Sequence, residues 1–482
     1  MRIEIVSPTV ARIWDLSPEE LPSLKKELAF TDEKAAFALR KARNSSFLRK
    51  KLGEAQYQQH LLSLQKEKDG SILFQDKEGY WTYSGVAQQL VEKFRCPFED
   101  RVVREFSKRT PLPWSSPPKK EPRYYQVEAK EALLAVRHGG VEIGTGLGKS
   151  FILQTLIKEL GQRSVVMAPS VSIASQLFTE MSLHFGKKHV GFYGDGKKDL
   201  GKLITVAVSQ SLTKIEEGTP AWDFFAGVQV FIADESHQTP AKTLAQVCFG
   251  LLKNAPVRFF FSATQIRGDG LALVLSAITG PIVYRMTVRE GVDQGFLSKP
   301  IFTMIQLESD SDKESKDSNV MTRAHLYYNE RIYIQAAKII HHSLKNQRRP
   351  VLVLVEEIQQ YDYLKRHLKC QHDFAHGGPG SDPTELVGRF NDRKLECLVG
   401  TSCVSTGTDI RVVGHIIFLM GGKSEIMVKQ AVGRGTRLAE GKVDCYFTDF
   451  DVVNIESCHR HAQERVRLYE EIYGPVRTVL VK

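Results

Sequence analysis

The run Val141-Glu142-Ile143-Gly144-Thr145-Gly146-Leu147-Gly148-Lys149-Ser150 leads directly into Phe151-Ile152-Leu153-Gln154-Thr155-Leu156-Ile157. An apolar strand, a glycine-rich turn and a helix start are thus written one after another. Glycines let successive backbone N–H groups turn inward around phosphate oxygens, and the helix N-terminus adds its partial positive charge. Gly144, Thr145, Gly146, Leu147, Gly148, Lys149 and Ser150 therefore read as a phosphate cradle. Lys149 would reach the outer phosphates and the Ser150 hydroxyl would ligate magnesium. The general pattern wants glycine five residues before Gly148, where this chain has Ile143, and it carries an additional glycine at Gly146.

With 482 residues, of which 42% are hydrophobic, the chain is long enough for two or three domains with sizeable cores. A formal charge of +10 biases it toward polyanions such as nucleic acid. Cysteines at 96, 248, 370, 397, 403, 445 and 458 form no Cys-x-x-Cys pair, so no zinc knuckle or iron–sulfur cluster is indicated and reduced thiols are expected. Arg2, Glu4 and Asp15 interrupt the N-terminal apolar stretch, and no run of about 18 uncharged apolar residues occurs. A cytoplasmic protein without a membrane partner is expected.

Residues 1–112 read as a separate small α+β domain. Residues 2–6 and 11–14 are predicted strands, 33–52 one basic helix, 70–83 a hairpin and 85–94 a further helix. Residues 113–122, rich in proline, suit an extended linker. Arg40, Lys41, Arg43, Arg49, Lys50 and Lys51 cluster near Phe47 and Tyr57 and could grip a phosphate backbone; a solvated basic face is the plainer alternative.

From Arg123 onward strands alternate with helices, which predicts parallel sheets covered on both faces. Arg123-Tyr124-Tyr125-Gln126 opens this region; the Gln126 amide could pair with an adenine edge, with Arg123 or a tyrosine against the ring. Polar groups then follow strand ends: Pro169 and Ser170, Gln176 on the next helix, and Gln210. In open α/β sheets that edge binds ligands. The strand at 228–233 ends in Asp234-Glu235-Ser236-His237, placing one carboxylate for the magnesium shell and another to orient or deprotonate water. Ser262-Ala263-Thr264 follows the next buried strand and could report nucleotide state by hydrogen bonding to the acidic box.

In this order the motifs resemble those of superfamily 2 nucleic-acid helicases, in the Asp-Glu-x-His group. The Ile143 and Gly146 variant of the phosphate loop is that superfamily's form. The resemblance extends to about Asp451 and implies two tandem RecA-like domains, 123–296 and 297–482, using ATP and Mg2+. It assigns Gly407 and Asp409, in Ser405-Thr406-Gly407-Thr408-Asp409, to the nucleotide. Gln430-Ala431-Val432-Gly433-Arg434-Gly435-Thr436-Arg437 fits the sixth motif, so Gln430, Arg434 and Arg437 join Lys149, Asp234, Glu235 and His237 as catalytic candidates, with Arg437 as the arginine finger. Pro169, Ser170, Gln176, Gln210, Gly377 and Thr401 are strand contacts by the same resemblance, and Ser262, Ala263 and Thr264 the coupling residues. Residues 308–318, acidic and serine-rich without apolar anchors, are expected to be mobile.

Residues 280–284, the segment 295–300 and the small N-terminal domain resemble the phage UvsW-like recombination helicases, with the XPB-like translocases next. What this implies is a DNA helicase acting on forked, branched or single-stranded DNA, with a recombination protein or nuclease as a possible partner. A double-strand translocase subunit serving a nuclease is the second reading; an RNA helicase or passive annealing protein is the third.

Overall fold

The computed structural model describes all residues except 119–120, 264–269, 347–349, 406–409, 411, 423–424, 440–441, 443 and 482, and only the backbone at 402, 405 and 426. Residues 1–143 with 149–285 form one compact unit, and 144–148 with 286–482 another. The fold is mixed α/β, built on two largely parallel sheets and a smaller N-terminal sheet.

The eight-stranded sheet of the first unit has the order Lys197–Lys198, Val190–Gly194, Ile204–Val208, Ser164–Ala168, Val230–Ala233, Val257–Ser262, His138–Ile143, Ile282–Met286. Its central pairs are parallel. Sequences such as SVVMA and VFIA are buried along their whole length, as strands covered on both faces must be. In the second unit the order is His372–Ala375, Cys397–Gly400, Val351–Leu354, His415–Phe418, Asp444–Val452, Lys299–Leu307, Val476–Leu480. These pairs are parallel throughout. One buried ion pair pins this sheet to the helix Glu456–Ile472: Arg465 Nε lies 2.7 Å from Asp449 Oδ2 and its second fork nitrogen 3.0 Å from Oδ1. The Tyr469 hydroxyl donates to the same carboxylate at 2.8 Å.

The N-terminal sheet runs Phe74–Asp76, Gly79–Tyr83, Val10–Trp14, Arg2–Ser7, Phe98–Asp100, antiparallel except for the last pair. Residues 33–52, expected as one helix, are two, Glu33–Arg43 and Ser46–Leu52. The break lies at Ser45, whose extended backbone and hydroxyl, accepting from Leu48 N–H at 3.1 Å, start a new helix. With Glu54–Lys68 they form a helical arm on a two-stranded stalk, Ala29–Thr31 paired with Asp69–Ser71.

Two further segments are held by contacts that the sequence does not show. The described residues of the proline-rich stretch, 113–118 and 121–122, stay out of helix and strand, and the chain there is a strap laid against the first unit. Thr110 N–H donates to Gly161 O at 2.8 Å and Ser115 N–H to His184 O at 2.7 Å, while Trp114 stacks on Phe185 with centroids 4.8 Å apart. Leu112 is buried. The acidic loop is likewise anchored, by polar contacts that no apolar pattern reveals. Ser309 N–H donates to Asn454 Oδ1 at 2.9 Å, Asn454 Nδ2 returns a bond to Ser309 O at 2.8 Å, and His325 Nε2 meets Lys313 O at 2.7 Å.

The N-terminal sheet is also packed directly on the rest of its unit. Leu273, Val274 and Ala277 of the helix Ala272–Thr279 enter its core. Tyr83 stacks on Phe249 with centroids 3.8 Å apart and planes 2° from parallel. At Gly85 any Cβ would collide with the Ala277 carbonyl oxygen, so this contact requires glycine.

Candidate nucleotide and nucleic-acid site

Parallel register brings the first unit's candidates together. Ser262 pairs with Glu142 and Phe260 with Ala233, so the strands ending at Ile143, Ala233 and Ser262 release their chains at one edge. Lys149, first residue of the helix Lys149–Leu160, reaches that edge. Its Nζ lies 2.9 Å from Glu235 Oε1 and 3.4 Å from the Ile143 carbonyl. An arriving phosphate would compete with Glu235 for this ammonium. Glu235 itself sits in left-handed backbone, φ 45°, a conformation that non-glycine residues hold only where the surroundings enforce it. Its Oε2 lies 3.4 Å from His237 Nδ1, and the same nitrogen is 2.8 Å from Ser262 Oγ. The Glu235 carboxylate, the His237 imidazole and the Ser262 hydroxyl thus form a chain.

Asp234 is held by its N–H on Met167 O at 2.9 Å and is 8% exposed. Its Oδ1 is buried without a hydrogen-bond partner, and burial followed by the neighbouring Glu235 charge pushes its carboxyl up to about 7. An orphaned, desolvated carboxylate oxygen beside Lys149 is what a divalent cation would satisfy. Among the described residues no group of three or more His, Cys, Asp or Glu side chains could hold a metal. One carboxylate and a hydroxyl completed by phosphate oxygens and water is nonetheless an ordinary magnesium shell, and Asp234 with Ser150 fits it.

Gln126 is buried, and its amide oxygen accepts the Arg123 N–H at 2.9 Å, capping the helix Tyr124–Val136. The Arg123 guanidinium donates to the Tyr125 hydroxyl at 2.9 Å, while Tyr124 is 48% exposed and is the ring best placed to meet a ligand. Within the second unit, Gly146 and Gly148 have φ of 86° and 83°, and a Cβ at Gly146 would meet Leu297 at 3.1 Å and Arg437 Cγ at 3.4 Å. Thr145 faces Gly433, where a Cβ would fall 2.6 Å from its Cγ2. Gly144 N–H donates to Met286 O at 2.9 Å, and Leu147 is fully buried. Gln430 and Arg434 lie on the helix Glu425–Gly435, with Arg434 only 7% exposed, and Arg437 just beyond it.

Lys442 was not singled out by sequence. Partly buried, with its ammonium pKa pushed down by desolvation, it donates to Arg437 O at 2.9 Å and to Gly435 O. A lysine just past a helix C-terminus is the signal that could have marked it. Gly407, Asp409 and Thr264 lie outside the described residues, and Ala263 directly follows the strand end.

Pro169 and Ser170 leave the strand Ser164–Ala168, Ser170 capping the helix Val171–Phe185 that carries the half-buried Gln176. Gln210 and Gly377 are exposed beyond their strands. Thr401 is different: it is buried, its hydroxyl donates to Cys403 Sγ at 3.4 Å and its N–H to Ala375 O at 3.1 Å. It braces the turn and offers little to a strand. Arg40, Lys41, Arg43, Arg49 and Lys50 are all exposed, but Arg49 is paired with Glu54 at 2.7 Å and Arg43 donates to Gln65 at 3.2 Å. Among the described residues no helix is long and apolar enough to cross a membrane.

Residues 119–267 match the family described as type III restriction enzyme, res subunit, and residues 334–439 match the helicase conserved C-terminal domain. These matches, one in each parallel-sheet half, give the chain the paired conserved domains of superfamily 2 helicases. A yeast (Saccharomyces cerevisiae) protein described as an ATP-dependent helicase, IRC3, is 24% identical over 369 residues, 68% of this chain and 51% of the relative. The chain thus spans about half the length of that relative. The DNA 3'-5' translocase XPB2 of Sulfurisphaera tokodaii is 26% identical over 170 residues, 35% of this chain and 37% of the relative. A fragment of an HsdR subunit of a type I restriction enzyme from Vibrio vulnificus shares the fold, with TM-score 0.57 and 19% identity over 76% of this chain and 70% of that one.

Proposed function

We propose that this chain is an ATP-driven DNA motor that unwinds or remodels forked and branched DNA. The observation that carries the nucleotide half of this reading is the buried, unpartnered Asp234 Oδ1 beside the Lys149–Glu235 pair, at the sheet edge where the phosphate loop also ends. In this reading Lys149 leaves Glu235 for the outer phosphates, and Glu235, released, orients and deprotonates the attacking water. Ser150 and Asp234 would hold Mg2+, which when bound would screen the phosphate charge. Arg434 and Arg437 neutralise charge on the transferred phosphoryl group, and Lys442 fixes the turn that carries Arg437. Gly407 and Asp409, outside the described residues, are nucleotide contacts by the family resemblance alone. Pro169, Ser170, Gln176, Gln210 and Gly377 meet the nucleic-acid backbone, as suits a motor that must accept any sequence.

DNA is favoured over RNA by the sequence matches, to a DNA translocase and to a restriction-enzyme subunit family. The segments 280–284 and 295–300 and the small N-terminal domain favour a UvsW-like role in recombination or repair. A second reading, a duplex translocase working with a nuclease, draws on the restriction-enzyme family match at 119–267.

The test is ATP turnover with single-stranded, duplex, forked and four-way-junction DNA and with RNA side by side. Branched DNA should stimulate most. Stimulation by duplex alone would select the translocase reading, and by RNA alone would overturn both. Lys149→Ala should remove nearly all turnover; activity within about threefold of the parent, under one kcal/mol of barrier, would defeat the phosphate-loop assignment.

A further inference from the structure

The helical arm repeats one pattern. Phe37-Ala38-Leu39-Arg40-Lys41 lies on the first helix and Phe47-Leu48-Arg49-Lys50-Lys51 on the second. In each, a phenylalanine is followed at i+3 and i+4 by two cations, the spacing that puts side chains on one helical face. On the first helix the opposite face, Ala35, Leu39 and Ala42, is buried, and the Tyr57 hydroxyl donates to Ala42 O at 3.1 Å. The Phe37 ring is left 64% exposed and Phe47 73% exposed. Arg40, Lys41, Lys50 and Lys51 are exposed and form no ion pair among the described residues. Residues 33–52 hold seven lysines and arginines against one acid, Glu33.

A large aromatic ring kept in water is unfavourable, and two at matching places in a repeat, each flanked by unpaired cations, mark a surface for a ligand. The ligand must be anionic and must present flat apolar faces. We propose that the arm is a stacking platform for unpaired nucleotides, with bases lying on Phe37 and Phe47 and the flanking phosphates held by Arg40, Lys41, Lys50 and Lys51. Paired bases are stacked on one another and leave no face for these rings, so the arm engages the single-stranded part of a fork. The inference rests on the reading of the chain as a nucleic-acid motor and names the strand form that the N-terminal domain selects. The stalk is seated where Gly270 closes on the Thr31 carbonyl, a position where any Cβ would collide, so the platform has a fixed foot.

The experiment uses the full chain and two probes of equal length and charge, an oligothymidylate and a strand of abasic sugar-phosphates. The parent should prefer the oligothymidylate. Phe37→Ala and Phe47→Ala should each weaken oligothymidylate binding by about fivefold or more, the range expected for loss of one stacked base, with the abasic strand and the salt slope unchanged. Both rings are exposed, so thermal unfolding should not shift. A set with Arg40, Lys41, Lys50 and Lys51 changed to serine should bind both probes less and with a flatter salt dependence, yet keep the preference for bases. Phenylalanine variants that match the parent on both probes would overturn the proposal. So would binding of polyglutamate with the same loss on Phe→Ala, which would mark a surface for an acidic protein. If no nucleic acid stimulates ATP turnover of the parent, the motor reading fails first and separately.

Discussion

Glu235 is the residue at which backbone and chemistry meet most closely. Its left-handed φ turns the chain sharply after the strand, so that Asp234 stays buried while the Glu235 side chain reaches Lys149 on one oxygen and faces His237 on the other. Glu235→Gln preserves the shape and removes the proton acceptor and the charge. It should bind nucleotide yet hydrolyse it at least about a hundredfold more slowly, the usual scale of general-base loss. Nucleotide binding and single-turnover hydrolysis measured on the same preparation check this; failure to bind would mean that the Lys149–Glu235 pair holds the cradle open. Sequence brings Lys149, Asp234 and Glu235 forward as candidates because phosphate and metal chemistry constrains residue type and spacing, and the structure sets them at one sheet edge. It did not show that the Gln126 oxygen is taken by Arg123 N–H or that Thr401 faces inward, because both depend on hydrogen bonds chosen locally during packing.

Among elements, the parallel strands were legible because strands covered on both faces must be apolar throughout, as at Val230–Ala233 and Val351–Leu354. The arm and the strap were not. A serine in a basic run signals a helix start only if the backbone extends there, and prolines exclude regular structure without saying what the chain lies against. Leu112→Ala separates the strap from a tether. With Leu112 buried, truncation should cost about 2 to 3 kcal/mol in denaturant unfolding and speed proteolysis within 113–122. No change in either would return this segment to a loose linker.

For the molecule as a whole, the acid limb of stability is set in part by His138, at the start of the phosphate-loop strand. It is buried, its ring nitrogen meets the Ile278 carbonyl at 3.0 Å, and burial, with Arg258 nearby, pushes its pKa down to about 3. Because the folded pKa lies below the unfolded one, the unfolded chain takes up the proton first. Stability should therefore be intact above about pH 6.5 and fall as pH drops toward 3, with this group contributing a loss of roughly 1.4 kcal/mol for each pH unit across that window. His138→Gln should flatten that decline, measured as unfolding midpoint against pH; an unchanged slope would assign it to carboxylates. Ile278 lies on the helix Ala272–Thr279, the same helix that receives the N-terminal sheet. The parallel Tyr83–Phe249 rings and the Gly85 contact close that seam. The first hundred residues are thus not detachable cargo. The strands that begin the chain and those that end in the acidic box are therefore expected to melt together as one cooperative foldon in calorimetry, two resolved steps overturning this, and a truncation at the strap should expose a raw apolar seam.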